Sequence, residues 1–304
     1  MSAAAAKTGT VGFIGLGSMG WPMAARLVGG GTTVISHDAR EDQARRFASE
    51  VGGATAPYGE LAQKCDVIVT ILPSSDIVED VLFGRGGLAS SMQPGAILVE
   101  MTSGVPSVTR ALGQRLAEKK IRVVDAPVSG GVKRAVTGEL AIMVGGAGDD
   151  IDAIEPLLRL MGKTILRTGA LGSGQAMKAL NNLVSAAGFL VGVEALLIGH
   201  AAGLDPKVMV DVLNASSGKN NSTEVKFKQF VLSRAFNSGF SLDLMVKDLG
   251  IALQVAHESK TAAPFSALCR ELWAGAGAVL GPGQDHTALA RFSEQLAGIK
   301  LESE

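Results

Sequence analysis

Lys178 and Asn182 are two polar residues whose spacing would let them act on the same small molecule. They stand in the segment 172–182, which reads GSGQAMKALNN, and helical residues four positions apart project from the same face. The amine of Lys178 could exchange a proton with a hydroxyl or carbonyl group, while the amide of Asn182 holds the same oxygen or orients the ammonium group. A surface lysine lying along apolar neighbours fits the same pattern, so both interpretations stand at this point.

A second chemical feature is the segment 125–131, DAPVSGG, which directly follows a β-branched stretch. A turn of this type at the carboxyl end of a strand can direct the hydroxyl of Ser129 and the amides of Gly130 and Gly131 toward an anion such as a carboxylate. A glycine-rich turn that binds nothing has the same sequence, so this segment alone does not decide between the two.

The segment 15–20, GLGSMG, fits the GxGxxG pattern of dinucleotide-binding proteins. It follows a strand-like stretch and opens a helical one, as that pattern requires. Gly15 allows a tight turn, Gly17 lets the backbone approach a pyrophosphate, and Gly20 permits close packing of helix on strand. The helix N-terminus adds unpaired amides and a positive dipole end for the phosphates. The other loop residues that we expect at the cofactor are Leu16, Ser18 and Met19.

Asp38 lies 23 residues after Gly15, at the end of the second strand-like stretch. An acidic residue at about this distance accepts hydrogen bonds from the adenosine ribose and would repel a 2′-phosphate, which favours NAD over NADP. Arg40 argues for NADP, because an arginine here can pair with a 2′-phosphate. The sequence therefore predicts NAD, with NADP as the alternative. An aspartate in a solvated turn is the other interpretation of Asp38.

Alternating strands and helices in the first half of the chain would position these residues. This βαβ alternation predicts an α/β fold with a Rossmann-type, doubly wound, mainly parallel sheet. The predicted strands are 10–14, 33–36, 67–72, 97–100, 121–125, 141–145 and 164–167, and the predicted helices are 19–28, 41–50, 107–119 and 151–161.

After Gly169 the pattern becomes helical, with one long helix over 173–202. The change predicts an all-α domain joined to the first by this long interdomain helix. We expect a dinucleotide-binding domain at 1–170 and a helical substrate and oligomerisation domain at 171–304, with a ligand cleft where the two meet. Further helices are predicted at 207–214, 242–258 and 263–276.

Composition limits the partners of this protein. Its 28 Lys and Arg residues against 29 Asp and Glu give a net charge of −1, which offers no basic surplus for nucleic acid or anionic membranes. The four histidines show no metal-ligand spacing, so no metal is expected.

The expected compartment is the cytoplasm. Cys65 and Cys269 lie far apart and form no CxxC motif, which indicates buried thiols in a reducing environment. The alanine-rich residues 1–7 are too few for the hydrophobic region of a signal peptide. The apolar stretch 183–193 is only 11 residues long, so it is predicted to be a buried helical segment rather than a membrane span.

Taken together, these motifs resemble those of the β-hydroxyacid dehydrogenase family, which includes 3-hydroxyisobutyrate dehydrogenase and tartronate semialdehyde reductase (2-hydroxy-3-oxopropionate reductase). The resemblance covers nearly the whole chain. It runs from GFIGLGSMG at 12–20 and PMA at 22–24, through 125–131 and 172–182, to KDL at 247–249. The segment 100–104, EMTSG, matches less closely, because the family usually has aspartate at its first position.

The resemblance implies a role for each matching residue. Lys178 corresponds to the catalytic lysine and Asn182 to the asparagine beside it. Lys247 corresponds to a lysine near the nicotinamide and the substrate. The turn that would hold the substrate carboxylate is Ser129, Gly130 and Gly131, and the residues that would line the cofactor are Leu72, Pro73, Thr102 and Ser103.

The resemblance also implies an activity, namely hydride transfer between NAD(P) and a short 3-hydroxy acid or its semialdehyde, with Lys178 as general acid and base. The ligand would be a small carboxylate, and the enzyme is expected to be a homodimer or homotetramer. The substrate stays open among tartronate semialdehyde, 3-hydroxyisobutyrate, and serine-like, threonate-like or sulfonated three-carbon compounds. Lys219 could recognise a second acidic group, or it is an ordinary solvated lysine.

Three alternatives share parts of this pattern. An enzyme like 6-phosphogluconate dehydrogenase would need a larger helical domain and a set of basic residues for phosphate. An imine reductase usually lacks lysine at position 178. A non-catalytic dinucleotide-binding scaffold tends to lose this lysine and to carry further domains.

Overall fold

The computed structural model describes residues 9–301, so the alanine-rich segment 1–7 lies outside the described residues. The chain divides into two compact units, residues 1–178 and 179–304. The first unit contains two hydrophobic cores and the second contains one.

The first unit is built on a mainly parallel sheet with the strand order β3-β2-β1-β4-β5-β6-β8-β7, and β9 pairs with β8. Strands β1 to β6 run parallel to their neighbours, whereas β8 runs antiparallel to β6 and β7. The order 3-2-1-4-5-6 is that of a doubly wound dinucleotide-binding sheet, so the predicted fold class is confirmed. The strands within residues 9–301 are β1 Val11–Ile14, β2 Val34–His37, β3 Ala54–Thr55, β4 Val67–Thr70, β5 Ile97–Glu100, β6 Arg122–Asp125, β7 Val128–Ser129, β8 Ala141–Gly145 and β9 Thr164–Gly169.

Alternate residues of the central strands enter different cores. On β4, Val69 packs into one core with the helices at 20–29 and 148–161, while Ile68 packs into the other with the helix at 106–117. Such strands are buried on both faces, which is why they read as continuous apolar runs in the sequence.

Some of the helices pack around this sheet, and the others form the second unit. In the second unit Phe189, Phe227 and Trp273 are fully buried and form the centre of the core. The helices within residues 9–301 are α1 Gly20–Gly29, α2 Glu41–Glu50, α3 Tyr58–Lys64, α4 Ser75–Phe83, α5 Pro106–Ala117, α6 Gly131–Thr137, α7 Gly148–Met161, α8 Ser173–Ala201, α9 Pro206–Ala215, α10 Asn221–Val225, α11 Leu242–Glu258, α12 Pro264–Leu280 and α13 Leu289–Ala297.

Helix α8 is the longest element and is long and apolar enough to cross a membrane by length and composition. Ala186, Phe189 and Val193 on one face are buried in the core of the second unit, as predicted for the segment 183–193. Val184 and Val191 in the same segment are exposed, so the burial is confined to one face of the helix. Helical periodicity turns every third or fourth residue away from the core.

Most element boundaries agree with the sequence prediction, and the differences have local causes. Strand β4 ends at Thr70, two residues before the predicted end, because the amide of Leu72 donates to Thr102 Oγ1 at 3.0 Å instead of to a strand. The sequence did not indicate the seven-residue helix α3, whose only buried residues are Leu61 and Ala62, because two apolar positions set no clear period.

Candidate active site

The carboxyl ends of the central strands lie at one edge of the sheet and carry most of the predicted cofactor residues. Ile14 of β1 pairs in register with Thr70 of β4, which pairs with Glu100 of β5, which in turn pairs with Asp125 of β6. The loops that follow these residues therefore leave the sheet at the same edge, where open α/β sheets bind their ligands.

The three glycines of the loop 15–20 have different environments. Gly15 has a φ of +97°, and a Cβ atom there would collide with the carbonyl oxygen of Ile71. A Cβ atom on Gly20 would collide with the carbonyl oxygen of Gly15, whereas one on Gly17 would meet no atom within 4 Å. Two glycines are thus required by the fold itself. The third leaves open space at the start of α1, which fits the close approach of a dinucleotide pyrophosphate.

Asp38 follows β2 and holds this loop directly. Its Oδ2 accepts a hydrogen bond from the amide of Leu16 at 2.7 Å, and its Oδ1 accepts one from the amide of Arg40 at 2.9 Å. The Arg40 guanidinium is exposed and lies 3.7 Å from Asp38 Oδ1. The structure therefore brings Asp38 to the glycine loop, as the dinucleotide pattern requires, and places Arg40 on the adjoining surface.

The loops after β4 and β5 are tied together at the same edge. The Thr102 hydroxyl is buried and accepts the hydrogen bond from the Leu72 amide. Pro73 is exposed and Ser103 is partly buried. The predicted pairs of residues 72–73 and 102–103 thus lie side by side, although their contacts with a cofactor stay a prediction.

Two buried carboxylates fix the beginning of α8. Asp125 Oδ1 accepts from the amide of Gly172 at 2.7 Å, and its Oδ2 accepts from the amide of Gln175 at 2.8 Å. The Gln175 side chain donates to Glu100 Oε2 at 2.6 Å and accepts from the amide of Gly104 at 2.8 Å. A carboxylate at the N-terminus of a helix satisfies unpaired amides and opposes the helix dipole, so this network sets where α8 starts.

Burial raises the pKa values of both acids. The pKa of Glu100 rises from its ordinary value of 4.5 to about 7, mainly because the carboxyl is fully buried. The pKa of Asp125 rises from 3.8 to about 6 for the same reason, while the amides of Gly172 and Gln175 act against the rise. The two groups therefore take up protons in a pH range in which ordinary carboxylic acids are ionised.

The predicted carboxylate-binding turn lies between β7 and α6. Gly130 and Gly131 have φ values of +133° and +68°, a conformation that favours glycine, and both are exposed. Ser129 is partly buried, and no hydrogen-bond partner of its hydroxyl is found within residues 9–301. The turn has the conformation expected of an anion-binding segment, and its role in substrate binding stays a prediction.

Lys178 and Asn182 lie on α8, one turn apart, and both are buried, with 8% and 6% of their surfaces exposed. This burial does not fit the alternative of a surface lysine. Asn182 Nδ2 donates to Asp248 Oδ2 at 2.5 Å, and Asn182 Oδ1 accepts from Asn181 at 3.1 Å. Lys247, partly exposed on α11, has its ammonium 3.6 Å from Asp248 Oδ1. Asp248 therefore links two of the predicted site residues, Asn182 and Lys247.

Sequence reasoning overlooked three residues that position the site, namely Glu100, Gln175 and Asp248. Each stands inside a motif that was recognised, but its role depends on which side chain of another element it meets. Asp248 gives the clearest signal in retrospect, because it shares the core-facing side of α11 with the apolar residues Met245 and Ala252. A buried acid needs a partner, so an acid on that side indicates a polar contact inside the unit.

Comparisons with known proteins agree with this geometry. Residues 10–169 match a sequence profile described as the NAD binding domain of 6-phosphogluconate dehydrogenase. Residues 172–293 match one described as the NAD-binding domain of NADP-dependent 3-hydroxyisobutyrate dehydrogenase.

Similar proteins cover almost the entire chain. The 2-(hydroxymethyl)glutarate dehydrogenase of Eubacterium barkeri is 38% identical over 97% of this chain and 98% of its own length. The L-threonate dehydrogenase of Cupriavidus necator is 34% identical over 96% and 97%, respectively. A structure of Mycobacterium tuberculosis 3-hydroxyisobutyrate dehydrogenase with L-serine has a TM-score of 0.87 at 29% identity, covering 94% of this chain and 99% of that one.

The glycine environments predict opposite outcomes for two similar substitutions. Gly17→Ala should fold with a melting temperature close to that of the wild type, because its Cβ has free space, yet it should weaken NADH binding about 10-fold or more by occupying the pyrophosphate approach. Gly20→Ala should lose about 3 kcal/mol or more of stability, because its Cβ collides with backbone. Thermal unfolding and NADH fluorescence titration measure both effects. Equal melting temperatures for the two variants would contradict the assignment.

The raised pKa of Asp125 predicts a pH-dependent stability. Between pH 4 and 6 the folded protein holds a proton on Asp125 that the unfolded chain has lost, so its contribution to stability falls as the pH rises through this window. Relative to Asp125→Asn, the wild type should lose about 3 kcal/mol of its free energy of unfolding between pH 4 and 6, because the pKa of Asp125 is shifted by roughly two units. Urea unfolding at several pH values measures the difference. The exposed Asp42→Asn serves as control, and parallel curves for wild type and Asp125→Asn would refute the prediction.

Proposed function

Because the chain belongs to the β-hydroxyacid dehydrogenase family, we propose that it interconverts a short 3-hydroxy acid and the corresponding semialdehyde, with Lys178 as general acid and base. The chain is an NAD(P)-dependent oxidoreductase that acts on hydroxy acids, as its relatives are. The observation that carries the assignment of Lys178 is its burial on α8, one turn before Asn182.

The chemistry divides between the cofactor and the side chains. A nicotinamide dinucleotide held by the loop residues 15–20 would supply the hydride acceptor for oxidation and the hydride donor for reduction. In oxidation Lys178 Nζ accepts the proton of the hydroxyl group, and in reduction it donates that proton to the aldehyde oxygen. Asn182 holds the same oxygen, and its amide keeps a fixed orientation because Asp248 accepts one of its hydrogens.

Substrate orientation falls to the turn after β7. The Ser129 hydroxyl and the amides of Gly130 and Gly131 hold the carboxylate, so that the hydroxyl-bearing carbon, and not another carbon, faces the hydride acceptor. Lys247 adds a positive charge near the reacting groups. Its ammonium lies 3.6 Å from a carboxylate oxygen of Asp248, and this pairing holds it in place.

NAD is the proposed physiological cofactor. Asp38 stands at the end of β2 with its carboxylate bonded to the Leu16 amide, where a 2′-phosphate would meet a negative charge. Arg40 is exposed and already neighbours that carboxylate, so it gives weaker support to NADP. Cofactor binding involves the loop residues 15–20 together with Leu72, Pro73, Thr102 and Ser103.

The assembly is proposed to be a homodimer or homotetramer in the cytoplasm. One face of α8 exposes apolar residues seven positions apart, and α9 exposes Val208 and Val212. Exposed apolar surface of this extent is typical of a subunit interface. The exposed apolar positions on α8 are Met177, Val184, Val191 and Ile198.

The proposed cytoplasmic location rests on the two cysteines. The free and buried thiols of Cys65 and Cys269 fit a reducing compartment.

An activity panel tests the function. The purified protein should change NADH absorbance with 3-hydroxyisobutyrate, L-threonate or 2-(hydroxymethyl)glutarate, and more efficiently with NAD than with NADP. Lys178→Ala should lower kcat about 10²-fold to 10⁴-fold, as expected for loss of an acid–base group, while NADH binding persists. Lys219→Ala is the control, because that lysine is half exposed and paired with Glu224. Retained turnover in Lys178→Ala would refute the assignment.

Oligomeric state is tested through the α8 face. Val184→Glu should shift the mass measured by light scattering toward the monomer, because a charge would be buried in the subunit interface. Val184 is 73% exposed, so the substitution leaves the fold of a subunit intact. Val136→Glu on α6, also at an exposed valine, is the control. An unchanged mass for Val184→Glu would place the interface elsewhere.

A further inference from the structure

Lys226 is a partly buried lysine in the second unit, directly after α10. Its ammonium donates to Ser185 Oγ of α8 at 3.2 Å and lies 5.9 Å from the centre of the Phe189 ring. Burial lowers its pKa from 10.5 to about 8. No sequence pattern singles out this residue, since the segment 221–228 contains two lysines and follows a third at 219.

Lys226 differs from the neighbouring lysines in its lack of a negative partner. Lys219 pairs with Glu224 at 3.1 Å, and Lys228 pairs with Asp211 at 2.5 Å. No carboxylate within residues 9–301 forms an ion pair with Lys226. Asp285 is the acid whose charge acts on it, but that carboxylate already accepts hydrogen bonds from Ser238, Gly239 and Thr287. A partly buried cation without an ion pair carries a desolvation cost, which an anionic ligand at the ammonium would offset.

Ser185 supplies a second donor at the same place. Its oxygen accepts from Lys226, and no acceptor for its own hydroxyl proton is found in the described part of the chain. Ser185 is only partly buried. One ammonium and one hydroxyl, both able to donate, match the two oxygens and the single charge of a carboxylate.

The position of Ser185 on α8 connects this pair to the reacting groups. Ser185 follows Asn182 by three residues and Lys178 by seven, so all three lie on one face of the helix. Seven residues correspond to a rise of about 10.5 Å. Subtracting about 3 Å from this rise for a hydrogen bond at each end leaves room for a chain of a few carbon atoms along the helix.

We propose that Lys226 and Ser185 bind a second carboxylate of the substrate, and that the enzyme therefore prefers hydroxy acids with two acidic groups. This inference rests on the proposed function, because it places the hydroxyl group of the same substrate at Lys178. The hydroxyl group at Lys178 and the second carboxylate at Ser185 and Lys226 then lie along one face of α8, so the substrate is held at two points.

The test compares two substrates that differ in the second carboxylate. The kcat/KM ratio of 2-(hydroxymethyl)glutarate to 3-hydroxyisobutyrate should be above one in the wild type. It should fall about 10²-fold in Lys226→Met, mainly through KM, and should largely recover in Lys226→Arg, which keeps the charge. Lys219→Met is the matched control and should leave the ratio unchanged. An unchanged ratio in Lys226→Met, or an equal loss on both substrates, overturns the proposal.

A binding measurement separates this inference from the proposed function. Glutarate has two carboxylates and no hydroxyl group, so calorimetry with the NADH complex reports binding without turnover. The wild type should bind glutarate at least 10-fold more tightly than Lys226→Met, while both melt at similar temperatures or the variant melts higher. Lys226-dependent binding without any turnover would refute the dehydrogenase assignment alone. Turnover of 3-hydroxyisobutyrate with Lys226-independent glutarate binding would overturn this inference alone.

Discussion

The capping of α8 by Asp125 is the interaction on which the placement of the proposed reacting groups depends. Its two oxygens accept the amides of Gly172 and Gln175, and Gln175 extends the network to Glu100 and the chain after β5. The acid stands at the end of a buried strand, so the sheet determines where the helix begins. Every later residue of α8 then takes its position from the helical repeat. The cost of burying two carboxylates is visible in their raised pKa values.

Helix α8 serves two purposes through two faces. Lys178, Asn182 and Ser185 share one face, and each meets a polar group or the proposed substrate. Met177 and Val184 belong to another face, about a third of a turn away, that is apolar and exposed. A single regular helix thus relates the spacing of the proposed catalytic groups to the spacing of the proposed subunit contacts. Its high apolar content has the same origin, because both a core and an interface need apolar residues.

The sequence was sufficient for the fold and for much of the candidate site, because those features depend on local pattern. The glycine loop and Asp38 could be recognised from spacing, the lysine on α8 from the resemblance to a family, and the mainly parallel sheet from alternating strands and helices. Asp248 and Lys226 could not, because their importance lies in burial and in partners 66 and 41 residues away. Lys219 drew attention in the sequence, but it forms an exposed ion pair with Glu224. No local pattern distinguishes a solvated lysine from one held against an aromatic ring.

The unequal surroundings of Gly17 and Gly20 also divide substitutions in this loop into two kinds by their effect on the amount of protein. A side chain at position 20 forces two backbone segments apart, and such chains would be cleared by cellular proteases, so the protein would be scarce. A side chain at position 17 disturbs no neighbour, so the protein would accumulate at normal abundance with weakened cofactor binding. An immunoblot would miss the second kind. Substitutions in the same loop can therefore reduce function either by lowering the amount of folded protein or by weakening cofactor binding in a protein present at normal amounts.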